Sequence, residues 1–479
     1  MRFDIQEMAQ ACAGSIVVPA APGACGGSPV WDSREVVPGS TFVSLVGEKV
    51  DGHKFIPQVV EAGAACVLIS HEIPVEVLDA AAAAGCGVIR VPGTCEEALV
   101  DIAAAWRKHL AGSVIAVTGS SGKTTTKNLI ASVLSAGMSC VATLANQNNE
   151  LGVPRTVLRA EADTQAVVVE MGMRGAGQLE ELCQFVRPDA AVITNVGQSH
   201  IELLGSQENI ARAKGEVLAG LVPGGWAFMN VNNGYAASML EWADASERGI
   251  KVALFGREDA KVADLPQADF LVLGKEVSLD AAGLPLFTIC VAEEQKLCHL
   301  KLAGLHNVDN ALCAAALGIH LGMSLDEVVD ALEQAVPAAG RQQVHKLASG
   351  VTVVDDAYNA NPDSMTASLI TFAAMKAQRH VAILGDMGEL GNFAADGHKR
   401  MGALVASLGI EKLICVGSLS ELLAKSALEG GMSESDVTLV SDWKQALEVS
   451  RGIIMPGDCV LVKASHSMEL DKVVEGLIS

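Results

Sequence analysis

The chain has 479 residues, room for about three domains at roughly 150 residues each. Half of them are apolar but only 4% are aromatic, so the interiors must be built from Ala, Val, Leu, Ile and Gly, which suits α/β layering. A formal net charge of −22 repels phosphodiester backbones and anionic bilayers, which argues against nucleic-acid binding and requires a local, pre-organised site for any anionic ligand.

The twelve cysteines show no C-x-x-C pair and no zinc-type spacing, as expected of small buried hydrophobes in a reducing cytoplasm. The opening MRFDIQEM has acidic residues where a signal peptide needs an apolar run. Residues 11–31 carry no charge, but Pro19, Pro22, Pro29 and four glycines interrupt them, which predicts loops and short strands and no stable membrane insertion. Next, apolar runs at 41–47, 65–70 and 87–92 alternate with Ala-rich stretches, the pattern of a small α/β domain. Thr94 and Glu97 form a capping-box pattern before a helix with Leu99, Ile102, Ala103 and Trp106 on one face. Ala111-Gly112-Ser113 reads as a boundary. A strand at 114–118 opens a second βα series running to about Pro337, in which FLVLGKEVSL and LPLFTICV resemble antiparallel hairpins added to a parallel sheet. A third series begins near Gly340, with strands at VTVVDDA, HVAILGD, KLICVG, VTLV and CVLVKA separated by helical patterns. The expected fold is α/β in three domains: residues 1–111, a small α/β domain; 112–338, a P-loop ATPase-type parallel sheet with hairpins; and 339–479, a Rossmann-like doubly wound domain.

VIAVTGSSGKTTTKNLIASVLSAG at 114–137 is a strand, a small-residue loop and a helix, the context of a phosphate loop. Gly119 and Gly122 would let the backbone approach phosphates, with Ser120, Ser121 and Thr125 completing the cradle. Lys123 would reach the β/γ-phosphates and the Thr124 hydroxyl a magnesium ion. The usual first glycine of such loops is replaced by Val117, so the loop is a short variant. AVVVEMG offers Glu170 at the end of a neighbouring strand as the metal carboxylate. DAAVITNVGQSHIELLGSQENIARAKGE at 189–216 reads as a strand, a loop containing His200 and a helix containing Lys214. Each taken alone reads as structural or solvated.

TGSSGKTTT, NQNNELGVP, VVVEMG, ITNVGQSHIELLGS, ARAKGE, LAGLHNVDNA, DDAYNANPDSM and ILGDMGELG, in this order, resemble the Mur ligase family of ATP-dependent amide-bond synthetases. NNELGVP and YNANPDSM point to its dipeptide-adding branch. The resemblance implies a bacterial, cytoplasmic, monomeric enzyme of peptidoglycan precursor synthesis, joining UDP-N-acetylmuramoyl-tripeptide to D-alanyl-D-alanine through an acyl phosphate and releasing ADP and phosphate. It implies ATP and two Mg²⁺ ions as cofactors. Thr124 and Glu170 would hold the first ion, and His200 and a carbamoylated Lys214 the second, with Lys123, His200 and Lys214 as the catalytic set. Asn310, and more weakly His306, would contact adenine, Arg341 the ATP phosphates and Asp356 the ribose, with a hinge near 337–342. Asn148, Asn149, Tyr358, Asn359 and Asn361 would meet substrate, and Ser33 and Arg34 the UDP-sugar end, against the alternative that Arg34 merely pairs with Asp32 on the surface. Two departures stand out: Lys463-Ala464-Ser465-His466 replaces the family's Lys-Gly-Ser-Arg run, and Ala145 to Gln147 replaces a Gly-Asn type of turn. Competing readings are a ligase adding a single amino acid to a muramyl peptide, a folylpolyglutamate synthase-like ligase, and a P-loop switch without ligase activity.

Overall fold

The computed structural model describes residues 3–259 and 265–479. In the first unit, β1 (Phe3–Asp4), β2 (Ser15–Val18), β3 (Cys25–Gly26), β4 (Pro29–Val30), β5 (Thr41–Val43), β6 (Cys66–Ile69) and β7 (Gly87–Arg90) form a β1–β3 pair and a five-stranded sheet ordered β2-β7-β6-β5-β4. The run expected at 41–47 thus forms a strand only to Val43. Leu45 N then bonds back to the Val43 carbonyl and Gly52 N to Leu45 O, which turns the chain out of the sheet. The helix Cys95–Arg107 has both halves of its capping box: Thr94 Oγ1 accepts from Glu97 N at 3.1 Å, and Thr94 N donates to Glu97 at 2.9 Å.

The second unit is built on β8 (Ser113–Thr118), β9 (Cys140–Ala142), β10 (Ala166–Glu170), β11 (Ala190–Ile193), β12 (Trp226–Asn230), β13 (Lys251–Arg257), β14 (Phe270–Leu279), β15 (Pro285–Val291) and β16 (Glu294–His299). Their order is β16-β15-β14-β13-β12-β11-β8-β10-β9. Pairing is parallel from β9 through β14 and antiparallel in the β14-β15-β16 meander. The near-continuous apolar strands of this sheet are buried on both faces, as a helix-covered parallel sheet requires. On one face Leu129, Ile130, Val133 and Leu134 of the helix Lys123–Gly137 pack with Leu312, Leu317 and Val328. The other face shares one core with the first unit, where Leu99, Ile102 and Trp106 join Val157, Phe185 and Val217. Trp106 Nε1 donates to the Ala160 carbonyl at 2.9 Å, and Arg107 pairs with Asp189 at 2.8 Å.

In the third unit, β17 (Gln343–Lys346), β18 (Thr352–Asp355), β19 (Arg379–Gly385), β20 (Lys412–Val416), β21 (Val437–Val440) and β22 (Asp458–Lys463) are ordered β17-β18-β22-β19-β20-β21. All are parallel except the edge strand β17, which follows a segment with Gly340 at φ +68° and Gln342 at φ +55°. No helix among the described residues is long and apolar enough to cross a membrane. Phe228, fully buried on β12 against the helix-covered face, sets a test of this packing. Phe228→Ala should cost about 3–5 kcal/mol, read as a fall in the urea midpoint of unfolding.

Candidate active site

Strand order creates the site. β8 sits between β10 and β11, with Val117 in register with Glu170 and Thr118 with Ile193. Three chain segments therefore leave the same edge of the sheet side by side, at the carboxyl ends where α/β folds bind ligands. Val117, the position where longer loops carry glycine, is a fully buried strand residue, so the loop begins only at Gly119. There φ is +150°, and a Cβ would stand 1.8 Å from Thr194 Oγ1, so only glycine fits. Gly122, at φ +77°, caps the helix Lys123–Gly137 and would drive a Cβ to 2.9 Å from Asn310 Oδ1. The Ser120 and Ser121 amides donate to Asn195 Oδ1 at 3.1 and 2.9 Å, and Thr194 Oγ1 donates to Ser121 O at 2.7 Å. Neither Thr194 nor Asn195 was singled out from sequence; their signal was their position directly after the strand beside β8.

Glu170 is 1% exposed. Its Oε1 accepts from Thr124 Oγ1 at 3.1 Å and from Asn148 Nδ2 at 2.7 Å, while Oε2 is buried with no protein partner. An orphaned buried carboxylate oxygen is costly, and a carboxylate beside a hydroxyl is the hard-oxygen set that suits Mg²⁺. These residues fit the ion. Lys214, on the helix Gln207–Ala219, is 1% exposed and donates to the Gly119 carbonyl at 3.0 Å. The solvated-lysine reading therefore fails. Lys123 Nζ donates to that same carbonyl at 2.8 Å. Burial, reinforced by Lys123, pushes the Lys214 amine well below the ordinary lysine range. Burial also lowers Lys123, opposed by the charge of Glu170. His200, at φ +63°, does not line the cleft; its Nδ1 lies 2.9 Å from Glu389 Oε2, outside hydrogen-bonding alignment.

A cleft of about 480 Å³ separates this edge from the third unit. Arg341 reaches across it, stacked over Tyr358 at 3.9 Å, with one guanidinium nitrogen 3.5 Å from Thr124 Oγ1 and its Nε buried without a partner. Asn361 caps the helix Pro362–Ala374 and also donates to Ser199 Oγ at 2.6 Å and Ser121 Oγ at 3.2 Å. The motif thus forms a helix-capping polar turn that also lines the cleft. Asp356 lines the cleft but is held at 2.8 Å by Lys463, which also donates to the Asn359 carbonyl at 2.9 Å. Lys463 belongs to the run whose last residue departs from the family pattern; His466, that residue, lies 5.9 Å from the Tyr358 ring. Asn310 accepts from Thr126 Oγ1 and donates to Asn307 Oδ1, both at 2.9 Å, tying the cleft wall to the loop helix. His306 also lines the cleft, and burial lowers its imidazole to about 4. Asp309 beside it, unnoticed in the sequence, is raised to about 6 by burial, opposed by Arg257 at 3.5 Å.

Three expected contacts lie away from the cleft. Asn149 accepts from Gly152 N at 3.1 Å within its own turn. Ser33 opens a 3-10 turn, and Arg34, with its side chain 85% exposed, pairs with Asp32 through Nε at 2.9 Å. The surface-pair alternative is what the chain adopts, because Asp32 caps this turn and the guanidinium folds back onto it. Beside them Glu35 pairs with the buried Arg155 at 2.7 Å, and Arg155 stacks over Trp31 at 5.0 Å.

The loop geometry yields a direct test. Gly119→Ala forces a side chain into Thr194 and should weaken Mg²⁺-ATP binding at least about 10-fold by calorimetry, the scale of a single lost charge-assisted contact.

Three family models match in succession: "Mur ligase family, catalytic domain" over residues 30–107, "Mur ligase middle domain" over 117–318 and "Mur ligase, glutamate ligase domain" over 340–466. The chain is 37% identical to the UDP-N-acetylmuramoyl-tripeptide--D-alanyl-D-alanine ligase of Synechocystis, covering 94% of this chain and 91% of that protein. It is 35% identical to the protein of the same name from Mycobacterium bovis, covering 95% and 92%. It superposes on the crystal structure of MurF from Acinetobacter baumannii with a TM-score of 0.82 at 29% identity, covering 100% of this chain and 99% of that one. With consecutive matches along its length and relatives above 30% identity over nearly all of it, the chain belongs to the Mur ligase family.

Proposed function

We propose that this protein is an ATP-dependent ligase that joins D-alanyl-D-alanine to the terminal carboxylate of UDP-N-acetylmuramoyl-tripeptide in peptidoglycan precursor synthesis. The observation that carries the reading is the end-to-end similarity to proteins named for that reaction. The site chemistry agrees with it. The tripeptide carboxylate attacks the γ-phosphorus of ATP, the β–γ bridge bond breaks, and ADP leaves. The dipeptide amine then attacks the acyl phosphate carbonyl, loses a proton, and the tetrahedral species expels phosphate.

Each step gathers negative charge at one point. Lys123 and Arg341 bring positive charge to the phosphate-loop side of the cleft, and the Gly122 helix terminus adds the partial charge of free amides. Thr124 and Glu170 are the residues that would hold the first Mg²⁺, with Asn148 orienting the carboxylate. Magnesium supplies neutralisation of the triphosphate charge when bound. Lys214 and His200 are our candidates for a second ion. Two ammonium groups sharing the Gly119 carbonyl repel each other, so the buried Lys214 favours its neutral amine. A neutral amine can add to CO₂, forming a C–N bond and releasing a proton, and so becomes an anionic oxygen donor.

We assign residues 1–111 to the UDP-sugar end, 112–338 to ATP and 339–479 to the dipeptide and to closure over ATP. Asn310 and His306 are assigned to the adenine side, Asp356 to the ribose, and Tyr358, Asn359 and Asn361 to the acceptor. Closure would exclude water from the hydrolysable acyl phosphate. The polar cleft supports the ATP and acceptor roles, and the scattered, unpaired cysteines support a cytoplasmic setting; the monomeric state rests on the family resemblance alone.

ADP release by the purified chain with Mg²⁺-ATP and UDP-N-acetylmuramoyl-tripeptide is expected to require D-alanyl-D-alanine. Release with a single amino acid instead would replace this acceptor assignment, and release with none would overturn the ligase reading. Lys123→Ala should lower turnover by at least about 10³-fold, the scale of losing a central electrostatic stabiliser; near-normal turnover would contradict the phosphate-loop role. Lys214→Ala should lose most activity and regain part of it on adding small carboxylic acids. Because the carbamate forms only from the neutral amine, wild-type activity at limiting bicarbonate should fall as pH drops and recover when bicarbonate is raised.

A further inference from the structure

The roles above leave Lys463 without a task, although it is a buried lysine that lines the cleft. It ends β22, which lies between β18 and β19, and the parallel pairing of β18 with β22 sets Asp355 opposite Val462. Asp356 N donates to the Val462 carbonyl at 3.0 Å, so Asp356 and Lys463 leave this pair of strands side by side, with Lys463 Nζ 2.8 Å from Asp356 Oδ2. The same Nζ donates to the Asn359 carbonyl at 2.9 Å. Two residues on, Ser465 Oγ donates to the Ala360 carbonyl at 3.4 Å while accepting from Gly388 N at 2.7 Å. The turn held in this way ends at Asn361, which bonds to Ser121 of the phosphate loop. Burial lowers the His306 imidazole of the second unit, with Asp356 raising it and Lys463 lowering it, so the pair stands within charge reach of a residue assigned to the adenine side.

A carboxylate accepts from ribose hydroxyls but repels a triphosphate, and the repulsion grows where water is excluded. A neighbouring ammonium cancels it, and removing that partner from a buried pair leaves the other charge uncompensated. We propose that Lys463 is the positioning residue for both ligands of the third unit: it neutralises Asp356, so that a carboxylate can face the nucleoside of a polyanion, and it ties the Asn359 carbonyl, so that the acceptor turn keeps its shape. One side chain thus sets the nucleoside contact and the acceptor contact together. The inference rests on the reading of Asp356 as the ribose contact and of the turn at 358–361 as the acceptor contact.

The test is calorimetric titration of the full chain with Mg²⁺-β,γ-methylene-ATP, together with steady-state kinetics in D-alanyl-D-alanine. Lys463→Met should weaken the nucleotide at least about 10-fold, the scale of one uncompensated charge near the triphosphate. Lys463→Met combined with Asp356→Asn, which removes both charges, should regain nucleotide affinity to within a few-fold of wild type. The KM for the dipeptide should rise about 3- to 10-fold in the single and the double variant alike, the scale of one hydrogen bond, with kcat at saturating dipeptide changed less. A double variant that binds nucleotide as weakly as Lys463→Met, or a single variant that binds it as wild type does, overturns the neutralising role. If Lys463→Met does not fold, a double variant that folds and binds nucleotide supports that role, and one that does neither overturns it. A wild-type KM in the double variant overturns the tie to the acceptor turn. Asp356→Ala with wild-type nucleotide affinity removes the ribose reading, and wild type that releases no ADP with this dipeptide removes the acceptor reading, each taking its half of the inference with it.

Discussion

Everything at the site depends on one backbone carbonyl. Gly119 turns out of β8 in a conformation that only glycine can hold against Thr194, and its oxygen accepts from the Nζ atoms of both Lys123 and Lys214. These lysines come from different helices, 91 residues apart by their numbering. A charge held at a backbone dipole away from water is held at a cost, which is why burial lowers both amines. That cost is tolerable at the one place in a strongly acidic protein where a polyanion must be received.

The same logic applies to the unsatisfied charged groups of the cleft. Glu170 Oε2, Arg341 Nε and Asp309 Oδ1 are buried without hydrogen bonds, and all three residues line it. Such atoms occur elsewhere in the chain too, but charged groups left open along one cleft are ones a polar ligand would complete. The supporting residues are, by contrast, fully bonded. Lys127 donates to the Thr143 carbonyl at 2.8 Å, Thr143 Oγ1 accepts from Glu170 N, and Asn195 holds two loop amides. Rigid supports under unsatisfied tips are what pre-organisation requires.

The three units are joined in two different ways. The first and second share a continuous apolar core, with Trp106 and Arg107 bonded into it. The apolar clusters of the third unit contain no residue of the second. What links those two is polar: Asn361 to Ser199, Asp363 to Gln198 N at 3.0 Å, and Arg341 to Thr124. Polar contacts exchange for water at little net loss, so the join that the proposed closure would open is the one without a shared core. The segment at 337–342, with Gly340 at φ +68°, is where such movement would be absorbed.

Periodicity and punctuation in the sequence sufficed for the βα alternation, the hairpins after β13, the capped helix at 95–107 and the phosphate loop, because each depends on neighbours within about twenty residues. Glu170 was legible as an acid ending a strand, and the family resemblance carried His200 and Lys214. The sequence could not place Lys214 in the interior, since a helical lysine is ordinarily solvated and only packing against the Gly119 turn buries it. Nor could it pair Arg34 with Asp32 in preference to a ligand, or reveal Thr194, Asn195, Lys463 and Glu389. Those four matter through contacts spanning 73 to 189 residues. Local chemistry was thus determined by the chain itself. Which strand ends stand side by side, and which side chains they bring to one carbonyl, was decided only by the order of strands in the folded sheets.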